Sequence, residues 1–195
     1  MKLLSQATRW LSIALTVLLA LCTFPAANRA EEPFKVTTVF LVRHAEKQVA
    51  AAGQQMMSPA DPPLTDEGKT RAKNLARLLG KAEIKTIITS QFLRTKQTAE
   101  PLADTLGVTT NVIAIAADPA DRNKVSQQSI KNIVDKIYRS AGESVLVVGH
   151  TNTLPDVISM LGGGAVPAIP ETDYDNLFIV TLYEKNKAKV VRLRF

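Results

Sequence analysis

Cysteine and histidine are nearly absent from this 195-residue chain, which has one Cys (Cys22) and two His (His44 and His150). Cys22 lies in an N-terminal segment of distinct character, so the rest of the chain has no thiol. That excludes disulfides, thiolate chemistry and Cys-ligated metal sites there. No pair of histidines stands at helical metal-ligand spacing, and no P-loop is present. Internal repeats and low-complexity tracts are also missing. A strong charge excess is missing too. The formal charge is +6, but Lys2, Arg9 and Arg29 all fall in the first 30 residues, which hold no acid. Beyond them 21 basic residues face 18 acidic ones, a net of about +3. Such a balance gives no reason to expect a nucleic-acid partner.

What is present begins with MKLLSQATRWLSIALTVLLALCTFPAANRA (residues 1–30). Two basic residues, an apolar run from Trp10 to Cys22 and then small residues have the layout of a secretory signal peptide. The run is short for a membrane span, which needs about 20 residues. The expectation is a signal peptide over 1–30 and a secreted or periplasmic protein, with membrane attachment only if the signal stays uncleaved. The cleavage site is not sharp: a cut after Ala30 puts Asn28 at −3, and one after Ala27 puts Pro25 there. Cys22 is not preceded by a small-residue pattern of the kind lipidation needs. About 165 residues remain, enough for one domain held by its own core (31–195).

That remainder alternates strand-like and helix-like runs. Strands are expected at 35–42, 84–90, 108–115 and 144–150, and a hairpin over 177–195 turning near Lys185–Lys187. Helices are expected at 65–80, 92–107 (with a kink at Pro101), 126–142 and 153–163. Thr65 suits an N-cap and Gly80 a stop. Ile130, Ile133, Val134 and Ile137 form one apolar stripe. Residues 45–63, rich in Ala, Gln and Pro, read as a long loop, and 117–123 as a shorter one. The alternation predicts an α/β fold: a three-layer α/β/α sandwich with a mostly parallel central sheet and a C-terminal antiparallel hairpin.

In such sheets ligands sit outside the carboxyl ends of the strands. Arg43 and His44 stand where the first strand stops, and His150 just past VLVVG. Arg94 follows the second strand within the first turn of its helix. Two arginines and two histidines around one point suit phosphate. Guanidinium groups bind phosphate oxygens in paired charge-assisted bonds. An imidazole can attack phosphorus and hold the group covalently. Arginines then stabilise the charge on the moving phosphoryl group, so no metal or other cofactor is called for.

Four stretches in order carry a family resemblance: FLVRHAEK, PLTDEGKTRAKNLA (63–76), TSQFLRTKQTAEPLA (89–103) and VVGHTNTLPDVI (147–158). The chain resembles the histidine phosphatase superfamily, the phosphoglycerate mutase-like proteins, across roughly residues 36–183. Ala45 stands where the family's Arg-His-Gly signature has glycine. A small residue suffices there if its φ stays negative. The resemblance implies that His44 is the nucleophile and becomes phosphohistidine. It implies that Arg43 and Arg94 clamp the phosphoryl oxygens, that His150 is a further, cationic phosphate ligand, and that the Thr151 N–H adds a bond. Lys47 is a weaker candidate in the same loop.

The family usually also has an acid to protonate the leaving group, and its common Glu-containing stretch is not found here. Thr151 follows the second histidine where some branches have Asp. By position Asp118 and Asp121 are the first candidates for general acid, with Glu171, Asp173 and Asp175 next. All five also suit ordinary loop chemistry. The family's phosphohistidine phosphatases are similarly short and lack the acid. The interval from Arg94 to His150 leaves no room for a mutase-type cap. The expected function is an exported, metal-independent phosphatase acting on phosphomonoesters or phosphohistidine, with a phosphorylated small molecule or phosphoprotein as partner. A non-catalytic binder of phosphorylated ligands and a phosphomutase are the alternatives.

Overall fold

The central strand β1 (Thr37–Arg43) carries a continuous apolar run because both its faces are covered. Val39 and Leu41 join one core cluster, while Phe40 and Val42 join the other. In the computed structural model, which describes residues 35–49 and 61–195, β1 lies inside a six-stranded sheet. The other strands are β2 (Ile84–Thr89), β3 (Thr110–Val112), β4 (Ser144–Gly149), β5 (Asn176–Glu184) and β6 (Lys187–Arg194). Their order is β3-β2-β4-β1-β5-β6. The first four are mutually parallel. β5 and β6 add as an antiparallel hairpin, so the expected sandwich with its C-terminal hairpin is what the chain forms.

Helices α1 (Asp66–Leu79) and α2 (Leu93–Leu106) pack on one face. Helix α3 (Gln127–Arg139) and the short α4 (Leu154–Ile158), which runs into a π-helical turn at Ser159–Gly163, pack on the other. The Thr65 hydroxyl caps α1 by accepting from the Gly68 N–H at 3.1 Å. α2 runs on through Pro101 and stops at Gly107, whose φ of 64° is left-handed. The stripe Ile130, Ile133, Val134 and Ile137 is buried as its spacing requires. Phe34–Phe195 form one compact unit.

Two expectations change. β3 covers three residues rather than 108–115, because the chain leaves the sheet edge after Val112. The Gln91 side chain then takes over the ladder, donating to the Ile115 carbonyl and accepting its N–H, both at 2.9 Å. On β6 the edge position leaves Val191 and Leu193 exposed, so its apolar alternation is only partly spent on the core. Residues 1–30 and residues 50–60 of the expected long loop lie outside the described residues. Where that loop is described it is pinned, with Lys47 bridging Leu64 and the Gln48 N–H donating to the Pro63 carbonyl at 2.8 Å.

Candidate active site

The parallel register aligns the ends of β1 and β4, with Arg43 opposite Gly149. The next residue on each strand is therefore a histidine, and the two rings come to 5.3 Å between centroids. The His44 N–H donates to the Gly149 carbonyl at 2.9 Å, locking the two strand ends together. β2, on the far side of β4, ends beside them. It brings Ser90 to 2.9 Å from His150 Nε2 and, through α2, Arg94 to the same cleft.

His44 is buried and its tautomer follows from its partner. Nδ1 lies 2.8 Å from the Ala45 carbonyl, which can only accept. The proton is therefore on Nδ1, and Nε2 keeps its lone pair. Burial, then Arg43, Arg94 and Lys47, push His44 down to about 4, against the one upward pull of the Ala45 carbonyl. At neutral pH the imidazole is therefore uncharged, with a lone pair on Nε2. For His150, burial first and then His44, Arg94 and Arg43 push the pKa down to about 3. The expected cationic His150 is thus neutral, because burial and then the charges around it disfavour its cation. A hydroxyl chain orients it. The Thr95 hydroxyl donates to the Phe92 carbonyl at 2.8 Å and lies 2.9 Å from Ser90 Oγ, which is bonded to His150 Nε2. With the Thr95 proton so used, Ser90 donates to Thr95 and His150 Nε2–H donates to Ser90.

Arg43 is almost wholly buried. Its Nη1 donates to the carbonyls of Pro170 (3.1 Å), Glu171 (2.7 Å) and Asp173 (3.4 Å). Its guanidinium carbon lies 4.1 Å from the Tyr174 ring centroid. Nη2 meets the Glu171 carboxylate at 2.5 Å, and the other Glu171 oxygen accepts from the Thr151 hydroxyl at 2.6 Å. Arg94 stacks over Phe92 at 4.2 Å and pairs with Asp61 at 3.6 Å. Asp61 also accepts the Leu93 N–H at the start of α2. The Nε atoms of both arginines are buried and have no partner among the described residues. Two guanidinium groups and an uncharged imidazole lining one cleft suit an oxyanion.

Arg43, His44, Lys47, Arg94, His150 and Thr151 therefore line one cleft of about 350 Å³. Asp118 and Asp121 do not line it. Asp118 Oδ1 accepts the N–H groups of Ala120 and Asp121, and Asp121 accepts from Asn123, so both are spent on turning their loop. Asp173 and Asp175 pair with Arg194. Glu171 is the only carboxylate among the described residues on the cleft wall. The Thr151 hydroxyl, then Arg43, hold it below the usual carboxylate range. Ala45 has no positive φ and is fully buried against Leu64 and Ala72, so alanine fits where glycine was expected. Sequence reasoning missed Tyr174, Asp61, Ser90 and Thr98, whose Oγ1 accepts the Ala45 N–H at 2.9 Å. Ser90 and Thr98 sit within the quoted TSQFLRTKQT stretch; nothing local marked Tyr174 or Asp61.

The model of the histidine phosphatase superfamily (branch 1) matches residues 39–117. Over those residues, and in its fold and strand-end residues, the chain is similar to that superfamily. Probable phosphoglycerate mutase GpmB of Yersinia enterocolitica is 43% identical over 70 residues, 36% of this chain and 32% of that protein. The chain thus spans about a third of the length of the curated relatives it matches. Among solved structures, the protein histidine phosphatase SixA complexed with tungstate aligns with a TM-score of 0.60 at 24% identity, covering 80% of this chain and 96% of SixA. The alpha-ribazole phosphatase from Shigella flexneri aligns with a TM-score of 0.61 at 18% identity, covering 81% and 96%. At these identities the structural likeness speaks for the fold.

Proposed function

We propose that this protein is an exported, metal-independent phosphatase that hydrolyses phosphomonoesters or phosphohistidine through a phosphohistidine at His44. The observation that carries the reading is the lone pair of His44 Nε2 in one cleft with the Arg43 and Arg94 guanidinium groups, whose Nε donors have no partner among the described residues. Nε2 attacks phosphorus, the N–P bond forms and the bond to the leaving group breaks. Arg43 and Arg94 hold the equatorial oxygens as charge spreads over them. His150, once a phosphate dianion replaces its repulsive neighbourhood, takes a proton and donates to the same oxygens. Water then attacks phosphorus, the N–P bond breaks, and phosphate leaves with His44 neutral again.

Glu171 is the candidate proton donor. It pairs with Arg43. An incoming phosphate competes for that guanidinium, and the dianion beside the released carboxyl raises its pKa. Glu171 then gives its proton to a leaving alkoxide and recovers one from the attacking water. A leaving imidazole has less need of it.

The test is hydrolysis of p-nitrophenyl phosphate in EDTA, with ³²P or mass detection of phospho-His44. We expect activity that survives EDTA and disappears in His44→Ala; full activity in that variant would sink the reading. Phosphate binding without turnover on esters and phosphohistidine would favour a binder, and isomerisation of phosphoglycerate a mutase. Export is tested by the N-terminal sequence of protein recovered outside the cytoplasm. A chain beginning at Met1 and confined to the cytoplasm would rule it out.

A further inference from the structure

Of the two sheet edges, β3 is only three residues long, while β6 is eight and pairs with β5 alone among the described residues. The outer side of β6 therefore offers a row of ladder N–H and C=O groups to any further extended chain. On the face that carries α1 and α2, the register sets Val42, Leu177 and Leu193 side by side, and likewise Phe40, Ile179 and Val191. Burial falls along both rows toward the edge. Val42 and Leu177 are buried while Leu193 is 48% exposed, and Phe40 and Ile179 are half-buried while Val191 is 42% exposed. On the other face Ala188 and Val190 pack against the core. The edge is also cationic. Residues 184–195 hold five basic residues and one acid, leaving 16 basic and 17 acidic residues in the rest of the chain beyond residue 30. Lys187 pairs with Glu184, and Arg194 with Asp173 and Asp175, in exposed contacts of the kind that are weak in water. Arg192 bonds only the neutral Asn176 side chain, and Lys189 has no ion pair among the described residues.

We propose that β6 is a docking edge for an extended acidic segment of another protein, which adds to the sheet as a seventh strand. β6 reads Lys-Ala-Lys-Val-Val-Arg-Leu-Arg. Its order of charged and apolar residues is the same in both directions. Directly opposite residues of neighbouring strands lie on one face of the sheet and interact there. The complementary segment therefore has acids opposite Lys187, Lys189, Arg192 and Arg194 and apolar residues at the four positions between. Main-chain bonds supply affinity in this mode, and the side-chain pattern supplies specificity. A second copy of β6 does not meet the requirement. The strand has four cations and no acid, so pairing with itself brings no counter-charge. No residue of β6 lines the catalytic cleft, so the docking edge stands or falls independently of the phosphatase reading.

The experiment measures binding of a fluorescein-labelled peptide, Glu-Val-Glu-Val-Val-Glu-Val-Glu, to the full-length chain by fluorescence anisotropy. Excess inorganic phosphate is present to compete for the cleft, and NaCl is about 0.15 M to screen unspecific attraction. We expect saturable one-to-one binding, at least about tenfold tighter than for two control peptides. One has the same residues with the four Glu before the four Val. The other has Pro at both central positions, which removes a ladder donor whichever way the strand faces. Lys189→Glu/Val191→Glu should weaken binding by about tenfold or more, and Lys189→Arg/Val191→Ile should keep it. Circular dichroism and turnover of p-nitrophenyl phosphate, both expected unchanged, check that the variants fold. On the unaltered protein, peptide-induced amide shifts should centre on β6 and β5. No binding, equal binding of either control, binding that survives the double Glu change, or shifts centred on the cleft would overturn the docking edge. So would binding to phosphatidylglycerol vesicles without peptide binding, which assigns the patch to a lipid surface, or a dimer through β6 in sedimentation and cross-linking, which assigns it to a second copy.

Discussion

His44 and His150 are the chain's only histidines, which makes their titration directly observable. Carbon-13 histidine NMR should show two imidazoles that stay neutral from pH 7 to pH 5 and protonate only near 4 and 3. Inorganic phosphate should raise at least one of them. An imidazole titrating near 6.5 in the free protein would contradict the buried, cation-flanked site. The same shifts set a stability trend. An unfolded imidazole takes its proton near 6.5 and the folded ones much lower, so the unfolded state binds more protons throughout that interval. Stability contributed by keeping these rings neutral is therefore lost as pH falls below about 6.5, by up to about 1.4 kcal/mol per pH unit for each ring. Denaturant midpoints at pH 7 and 5 check it, with His150→Gln expected to flatten the slope. At Glu171 the two roles separate by substrate. Glu171→Gln should lower kcat on an alkyl phosphate by about 10²-fold, lower it far less on p-nitrophenyl phosphate, whose leaving group needs no proton, and tighten inhibition by inorganic phosphate. Equal loss on both substrates would count against proton donation.

Among the elements, α1 shows why a short motif has the form it does. In PLTDEG, Leu64 packs on Ala45 and Ala72, and Thr65 caps the helix. A Cβ on Gly68 would run into the backbone carbonyl of Glu46, two residues past His44. Backbone cannot yield as a flexible side chain can. Gly68→Ala should therefore cost roughly 1–3 kcal/mol and reduce turnover by displacing the His44 loop. Wild-type stability by urea unfolding, with unchanged kcat, would refute that packing argument. α2 does parallel work: Thr98 accepts the Ala45 N–H while Gln97 accepts that of Leu64, so the helix carrying Arg94 also holds both segments beside His44.

For the whole molecule, the sheet order is what assembles the site. β1 lies between β4 and β5, and the three parallel ends of β1, β4 and β2 deliver His44, His150 and Ser90 side by side. The segment that follows α4 and its turn then crosses over this edge, wraps Arg43 with the carbonyls of residues 170, 171 and 173, and continues into β5. A chain of residues 34–195 should keep all of this, since those residues form the compact unit. It should unfold in one transition by circular dichroism and bind phosphate. Two separate transitions would show that the hairpin or the outer loops fold independently of the sheet.

Much of this was legible in residue order alone. Burial on both faces leaves an apolar run, helices leave caps and stripes, and the strand-end rule puts Arg43, His44 and His150 at one edge, because these are local or nearest-neighbour constraints. The order of four short motifs likewise pointed to phosphoryl chemistry. The length of β3 was not legible, since a side chain, Gln91, replaced part of its ladder. Which carboxylate faces the cleft was not legible either. Asp118, Asp121 and Glu171 look alike in sequence, and only the tertiary path separates two carboxylates used to turn a loop from the one laid across Arg43. The protonation of His150 was decided in the same way: burial beside three cations, contributed by separate segments, keeps neutral a ring that in isolation would have been free to charge.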